Sequence, residues 1–338
     1  MFSGAMDILV IESPNGQYKS SAFHVRFGSL KVIKSKEQEV EIYVNSIRTF
    51  VKMKLSSSGD AYFQFDELDP QVSQQQNLYN SEIEKYENQK EKDILIKKDY
   101  NLFKKKYKSF FPSSNELKQL NLKPERNEIC FVCKTSTSGI QTLKASIYLW
   151  PSSSKIIISD VDGTITRSDV LGQVLPLLGK DWTHEGVTEL FTKISKQGYK
   201  IIYLTSRAIG QSTMTKKYLD NLIQEEKRLP PGPLIMSPDG LFTSFKREVI
   251  ERKPYLLKIP VLNELKNLFP EELTPFFMGF GNRDTDGIAY RYVGIPLNNI
   301  FLIDSSSKVL RLGETKKESY KLIAEKAEDI FPMIENSI

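Results

Sequence analysis

Two cysteines in 338 residues leave little for thiol chemistry to use. Both lie in Ile129-Cys130-Phe131-Val132-Cys133-Lys134, a run with the composition of a strand. An odd separation along a strand sends the two thiols to opposite faces, which argues against a shared zinc or a disulfide. The expectation is a cytosolic, thiol-independent chemistry. No apolar run approaches the roughly 18 residues needed to span a bilayer. The start, Met1-Phe2-Ser3-Gly4-Ala5-Met6-Asp7, carries no basic-then-apolar signal pattern, so any membrane contact is expected to be peripheral. Nor is charge of one sign in large excess: a net +5 permits attraction to an anionic surface and does not argue for nucleic acid. What remains, 26% charged and 40% hydrophobic residues, is the composition of a soluble globular protein. The length suits two domains.

Short strand-like runs fill the N-terminal part, at 7–12, 23–27, 40–44, 51–55 and 61–65, separated by turn signals such as Pro14-Asn15-Gly16 and Ser57-Ser58-Gly59-Asp60. They read as half of a β-sandwich, too small to stand alone. Residues 70–114 change character: a short glutamine run and a stretch rich in lysine and glutamate read as a solvated linker or a charged helix. Strand character resumes at 128–134 and 143–150, and the simplest arrangement has 115–153 completing the sandwich begun by 1–69. From 154 to 338 strands and helices alternate. Val187, Leu190, Phe191 and Ile194 fall on one helical stripe that Gly198 can end, and strand-like 200–204, 276–280 and 300–303 flank further helical patterns. Such β-α repeats predict a doubly wound, Rossmann-like parallel sheet.

The chemistry concentrates in Asp160-Val161-Asp162-Gly163-Thr164, directly after the β-branched run Lys155-Ile156-Ile157-Ile158-Ser159. That run reads as a strand covered on both faces, which places the carboxylates at its carboxyl end, where open α/β sheets hold their ligands. Side chains alternate along an extended backbone, so Asp160 and Asp162 share one side. An ordinary turn could also use these residues. A calcium loop could not, because its fifth, sixth and twelfth positions would be Thr164, Ile165 and Leu171. Two later runs end in polar residues suited to a phosphoryl group. Ile201-Ile202-Tyr203-Leu204-Thr205-Ser206-Arg207 offers Thr205 to a phosphate oxygen, with Ser206 and Arg207 beyond it. Phe277-Met278-Gly279-Phe280-Gly281-Asn282-Arg283-Asp284-Thr285-Asp286 offers Asn282 to a hard cation and adds Asp286 about one helical turn on. The cationic stretch Glu251-Arg252-Lys253-Pro254 supplies a lysine.

This ordered set resembles the four motifs of the haloacid dehalogenase superfamily. The longer runs around it, Asp160 to Asp169, Gly179-Lys180-Asp181-Trp182-Thr183-His184, Ser206-Arg207-Ala208-Ile209-Gly210 and Arg247 to Pro254, resemble the catalytic region of the lipins, magnesium-dependent phosphatidic acid phosphatases. Residues 4–65 resemble the lipins' N-Lip region and 115–304 their C-Lip region. The resemblance implies an immunoglobulin-like sandwich beside a dehalogenase-like catalytic domain. It implies that Asp160 attacks phosphorus and that Asp162 is the general acid and base. Mg²⁺ would be held by Asp160, the Asp162 carbonyl and Asn282, with Asp286 behind them. Gly163, Thr164, Thr205, Ser206, Arg207 and a lysine would bind the phosphoryl group.

Lys253 is favoured for that lysine by its Lys-Pro pairing, with Lys258 as the alternative. The substrate would be phosphatidic acid in a membrane, reached by peripheral association at the endoplasmic reticulum or nuclear envelope. The interleaved lysines and aromatics of 102–111 are a candidate anchor, since almost nothing precedes Gly4 where lipins carry an amphipathic helix. His184 is weighed between a phosphate contact and a packing or capping role, and Leu171-Gly172-Gln173-Val174-Leu175 between a coactivator motif and a buried helix face. The rival readings are a phosphatase of phosphoproteins or soluble esters, and a catalytically silent lipid-binding scaffold.

Overall fold

A computed structural model describes residues 3–28, 38–67, 69–87, 107–135, 139–167, 182–237 and 255–334. Among them the first half of the chain yields β1 (Gly4–Ala5), β2 (Ile8–Glu12), β3 (Tyr18–Ser20), β4 (Val25–Arg26), β5 (Glu39–Val44), β6 (Ile47–Leu55), β7 (Ala61–Phe65), β8 (Tyr107–Ser109), β9 (Glu125–Thr135) and β10 (Gly139–Pro151). Eight of these form one hydrogen-bonded sheet in the order β3-β2-β10-β9-β5-β6-β7-β8. It draws on both sides of the charged stretch, with β2 running parallel to β10 and Ile8 opposite Ile147. Alternation along β5 turns Val40, Ile42 and Val44 inward, where they meet Ile8, Phe23, Phe63, Phe131 and Ile147 in one core. The Phe23 ring sets its edge against Phe63 and Phe131, at centroid distances of 5.2 and 6.3 Å.

One expectation changes here, and one open choice, linker or helix, is resolved. The strand predicted over 23–27 shrinks to β4, because its backbone is engaged elsewhere: the Phe23 N–H donates to the Phe110 carbonyl (2.9 Å), the His24 N–H to the Ala22 carbonyl (3.0 Å) and the Phe27 N–H to the Gly59 carbonyl (2.8 Å). The charged stretch holds an 18-residue helix, Pro70–Glu87, which packs against the later Tyr255–Lys266 helix, where Asn263 donates to Glu82. The described part of the candidate anchor is also occupied: β8 pairs with β7, Phe111 is buried, and the Lys108 ammonium lies over the Tyr62 ring. Residues 102–106 and 171–175 lie outside the described residues.

The second half yields β11 (Ile156–Asp160), β12 (Lys200–Ala208), β13 (Ile223–Gln224), β14 (Lys227–Arg228), β15 (Leu234–Ser237), β16 (Phe276–Gly281), β17 (Ile300–Ile303), β18 (Val309–Arg311) and β19 (Lys317–Glu318). Seven form a sheet in the order β15-β12-β11-β16-β17-β18-β19. All five β11 residues are buried, with β12 and β16 parallel on either side. The Val187–Lys196 helix buries the stripe Val187, Leu190, Phe191 and Ile194. The sheet is not wholly parallel: β18 and β19 return antiparallel. The Asp304–Lys308 turn is too short for the crossover that a parallel neighbour needs.

β15 ends this sheet with N–H groups facing away from β12. Leu234 N–H is taken by Asp7 Oδ2 (3.0 Å) and Met236 N–H by Met6 Sδ (3.1 Å), so the beginning of the chain covers the edge. The fold is thus mixed α/β, with an all-β first sheet tied to a mostly parallel second one.

Candidate active site

The chain leaves β11 through a tight turn that gathers its backbone on Val161. The Val161 carbonyl accepts from the N–H groups of Ile165 (3.0 Å) and Thr166 (3.1 Å), and Gly163 adopts φ +80°, which a side chain would resist. Three groups brace the turn. Thr166 Oγ1 accepts from Gly163 N–H, the Tyr320 hydroxyl donates to the Thr164 carbonyl (3.0 Å), and His184 Nε2 lies 3.2 Å from the Gly163 carbonyl. His184 is fully buried, its other ring nitrogen 2.8 Å from Ser307 Oγ, and burial holds its pKa below the usual range. The turn therefore aims Asp160 and Asp162 from a rigid base.

Asp160 is 4% exposed and faces a cation. Lys258 Nζ donates to Asp160 Oδ1 and to Asp286 Oδ1, both at 2.6 Å, bridging the two carboxylates. Asp286 is fixed from its other oxygen, which accepts the N–H groups of Asn282 (3.0 Å) and Arg283 (3.1 Å) at the start of the Asp284–Tyr292 helix. Burial pushes the Asp160 carboxyl well above the usual carboxylate range; Lys258 opposes this, while Asp286 and Asp162 add to it. Burial alone would lower the Lys258 ammonium, yet the two carboxylates outweigh it and hold the lysine firmly charged.

Asp162, half-buried, is held from the other flank. The Thr205 hydroxyl donates to its Oδ2 (2.7 Å), and Arg207 donates from Nε (3.1 Å) and Nη2 (2.5 Å) to its Oδ1. A third Arg207 nitrogen donates to Thr215 Oγ1 (3.0 Å). Thr164 Oγ1 lies 3.4 Å from Asp160 Oδ2. Ser206 is exposed at the end of β12.

The structure thus brings together Asp160, Asp162, Thr164, Thr205, Arg207, Asn282 and Asp286. Lys253 lies outside the described residues, and the lysine in the described site is Lys258. It sits in the first turn of the Tyr255–Lys266 helix, on the stripe shared with buried Leu262 and Leu265. A lone lysine at core spacing was its signal. Arg207 grips the acid instead of standing free, and Thr215, Tyr320 and Ser307, small parts of the brace, carried no motif.

Gly281 leaves no room beside Asp286. A β-carbon there would lie 2.5 Å from Asp286 Cβ and 2.7 Å from its Oδ2. Gly281→Ala is therefore expected to displace Asp286 and with it Lys258, lowering kcat by roughly tenfold to a hundredfold and stability by about 1–3 kcal/mol. Steady-state rates beside a thermal melt check both.

Three carboxyl groups, Asp160, Asp162 and Asp286, meet two cations, Lys258 and Arg207, which with all of them ionised is an excess of one negative charge. A divalent cation would reverse that sign and welcome a phosphate. Among the described residues no three His, Cys, Asp or Glu side chains form a metal cage. The oxygen groups present, a carboxylate, an amide and a backbone carbonyl, are hard donors of the kind that hold a cation which keeps several of its waters.

Comparison with known proteins agrees in extent and in name. Residues 108–332 match the family model LNS2 (Lipin/Ned1/Smp2), and residues 1–82 match the lipin N-terminal conserved region. The chain is 46% identical over 222 residues to "Phosphatidate phosphatase PAH1" of Arabidopsis thaliana, covering 65% of this chain and 25% of that protein. It is 43% identical over 226 residues to human "Phosphatidate phosphatase LPIN1", covering 67% and 25%. It is 42% identical over 235 residues to "Phosphatidic acid phosphohydrolase 1" of Saccharomyces cerevisiae, covering 66% and 27%. The match spans about a quarter of the length of these curated relatives. With both family regions present and the second covering most of the residues that build the carboxylate site, the chain belongs to the lipin family.

Proposed function

We propose that this chain is a Mg²⁺-dependent phosphatidic acid phosphatase that releases diacylglycerol and phosphate. The observation that carries the reading is the pair Asp160 and Asp162, one bridged by Lys258 and the other gripped by Thr205 and Arg207, in a chain whose relatives are named phosphatidate phosphatases.

An Asp160 oxygen attacks phosphorus as the bond to the glycerol oxygen breaks, leaving an aspartyl-phosphate, and Asp162 gives its proton to the departing oxygen. Water then attacks the same phosphorus, loses a proton to Asp162, and frees Asp160. Thr205 suits both states of Asp162, because its hydroxyl donates to a carboxylate and, turned about, accepts from a carboxylic acid. Lys258 and Arg207, together with Gly163, Thr164 and Ser206 at the rim, offset charge on the phosphoryl oxygens. Asp160, the Asp162 carbonyl and Asn282 would hold Mg²⁺, which when bound neutralises phosphoryl charge, and Asp286 fixes the backbone of Asn282 behind them.

The same reading divides the chain as its sequence does: 1–69 and 115–153 form an immunoglobulin-like sandwich joined through 70–114, and 154–338 form the catalytic domain. The shared core of the first sheet supports this. No described helix is long and apolar enough to cross a membrane, and the enzyme meets its lipid by peripheral association at the endoplasmic reticulum or nuclear envelope.

Phosphate release from phosphatidic acid vesicles is expected to stop with EDTA and return with Mg²⁺. Turnover of a soluble ester alone would move the substrate off the membrane, and turnover that ignores EDTA would remove the metal.

A further inference from the structure

Arg207, the group that grips Asp162, depends on a segment two hundred residues away. Its Nη1 bonds Thr215 in the Ser212–Asp220 helix, and the next residue, Lys216, donates to Asp7 Oδ1 (2.5 Å) and Ser146 Oγ (2.6 Å). Asp7 is 3% exposed, and it also accepts Ser146 N–H (2.7 Å) and the Leu234 N–H that opens β15, the neighbour of the strand carrying Thr205 and Arg207. Gly4 lies against the turn that follows Arg207: a β-carbon there would come within 2.2 Å of the Ile209 carbonyl and 3.0 Å of Ser212 Oγ. Residues 4–7 therefore touch the turn after Arg207, the helix that anchors its guanidinium and the strand beside it.

We infer that Asp7 is a positioning residue for the acid Asp162, acting through Lys216, the Ser212–Asp220 helix and Arg207. The inference rests on the proposed role of Asp162 for its kinetic arm only. A purely local packing role would leave Arg207 undisturbed when Asp7 changes. Neutralising Asp7 leaves Lys216 without its buried counter-charge, so the helix loses its tether and Arg207 its fixed fork.

The full-length Asp7→Asn variant is read in two ways. Amide hydrogen exchange of peptides covering 209–220 is expected to quicken about tenfold, with peptides covering 300–311 on the far side of the sheet unchanged. Hydrolysis of a soluble ester, p-nitrophenyl phosphate, is expected to lose about tenfold in kcat with KM held within roughly twofold. The double variant with Arg207→Lys should lose no more than Arg207→Lys alone, because both act on the same grip. Should Asp7→Asn fail to fold, Lys216→Met breaks the same tether from the helix side. Unchanged exchange at 209–220, or losses that multiply in the double variant, overturns the inference. A parent protein that hydrolyses neither vesicle lipid nor the ester counts against the proposed function, and the exchange result then decides the inference alone.

Discussion

Asp160→Asn is expected to lower phosphate release by roughly four orders of magnitude or more, since an amide oxygen cannot form the aspartyl-phosphate and no other described carboxylate stands in its place. The protein should nevertheless fold. Asp160 is one of three carboxylates facing two cations, and burial raises its pKa. The sign follows from proton counts. Between its unfolded pKa, near about 4, and its raised folded value, the folded state holds the extra proton, so this residue costs stability progressively as pH rises. Asparagine has no proton to lose. The variant should melt no lower than the parent at pH 7.5, and the comparison should shift in its favour from pH 5 to pH 8. A variant that stays active would sink the covalent mechanism; one that is inactive because it melts early would sink the charge account.

Lys258→Met should do the opposite to stability and lower activity less steeply. It removes the bridge at 2.6 Å from each of two buried carboxylates and leaves Asp160 and Asp286 to repel each other. Breaking a buried pair from one side typically costs about 3–5 kcal/mol, and losing a charged donor to the phosphoryl oxygens a further 10²–10³-fold or so in kcat. Lys253→Met, by contrast, leaves the bridge intact, and its rate should stay within about tenfold of the parent. Urea melts and kcat on the two variants side by side separate the lysines. A Lys258→Met enzyme that keeps the parent's rate would assign the phosphate charge to another cation.

Much of this site was legible because each motif sits where a buried strand ends. Ile156 to Ile158 announced β11, 61–65 and 300–303 matched β7 and β17, and the stripe from Val187 to Ile194 announced its helix. The misses have a common cause, since local pattern carries no knowledge of distant partners. The 23–27 run has a strand's composition but gives N–H groups to Phe110 and Gly59. Thr215 carries no motif of its own and lies buried under Arg207. The helix stripe turns Lys258 inward, and no local pattern reveals that Thr215 and Asp162 hold the Arg207 guanidinium.

The bonds that close the edge of β15 impose an order in time. Asp7 and Leu234 are 227 positions apart. At roughly 5–20 residues per second, a ribosome needs on the order of 10–45 s to make the second after the first. β3 can pair with one edge of β2 at once, but the other edge waits for β10, and Asp7 waits longer still for β15. Long-range pairing of this kind slows folding and invites association with other chains. The segment around β2 is therefore among the last to find all its partners, and the charges at its margins, Asp7 before it and Glu12 at its end, stand where gatekeepers against wrong pairing belong.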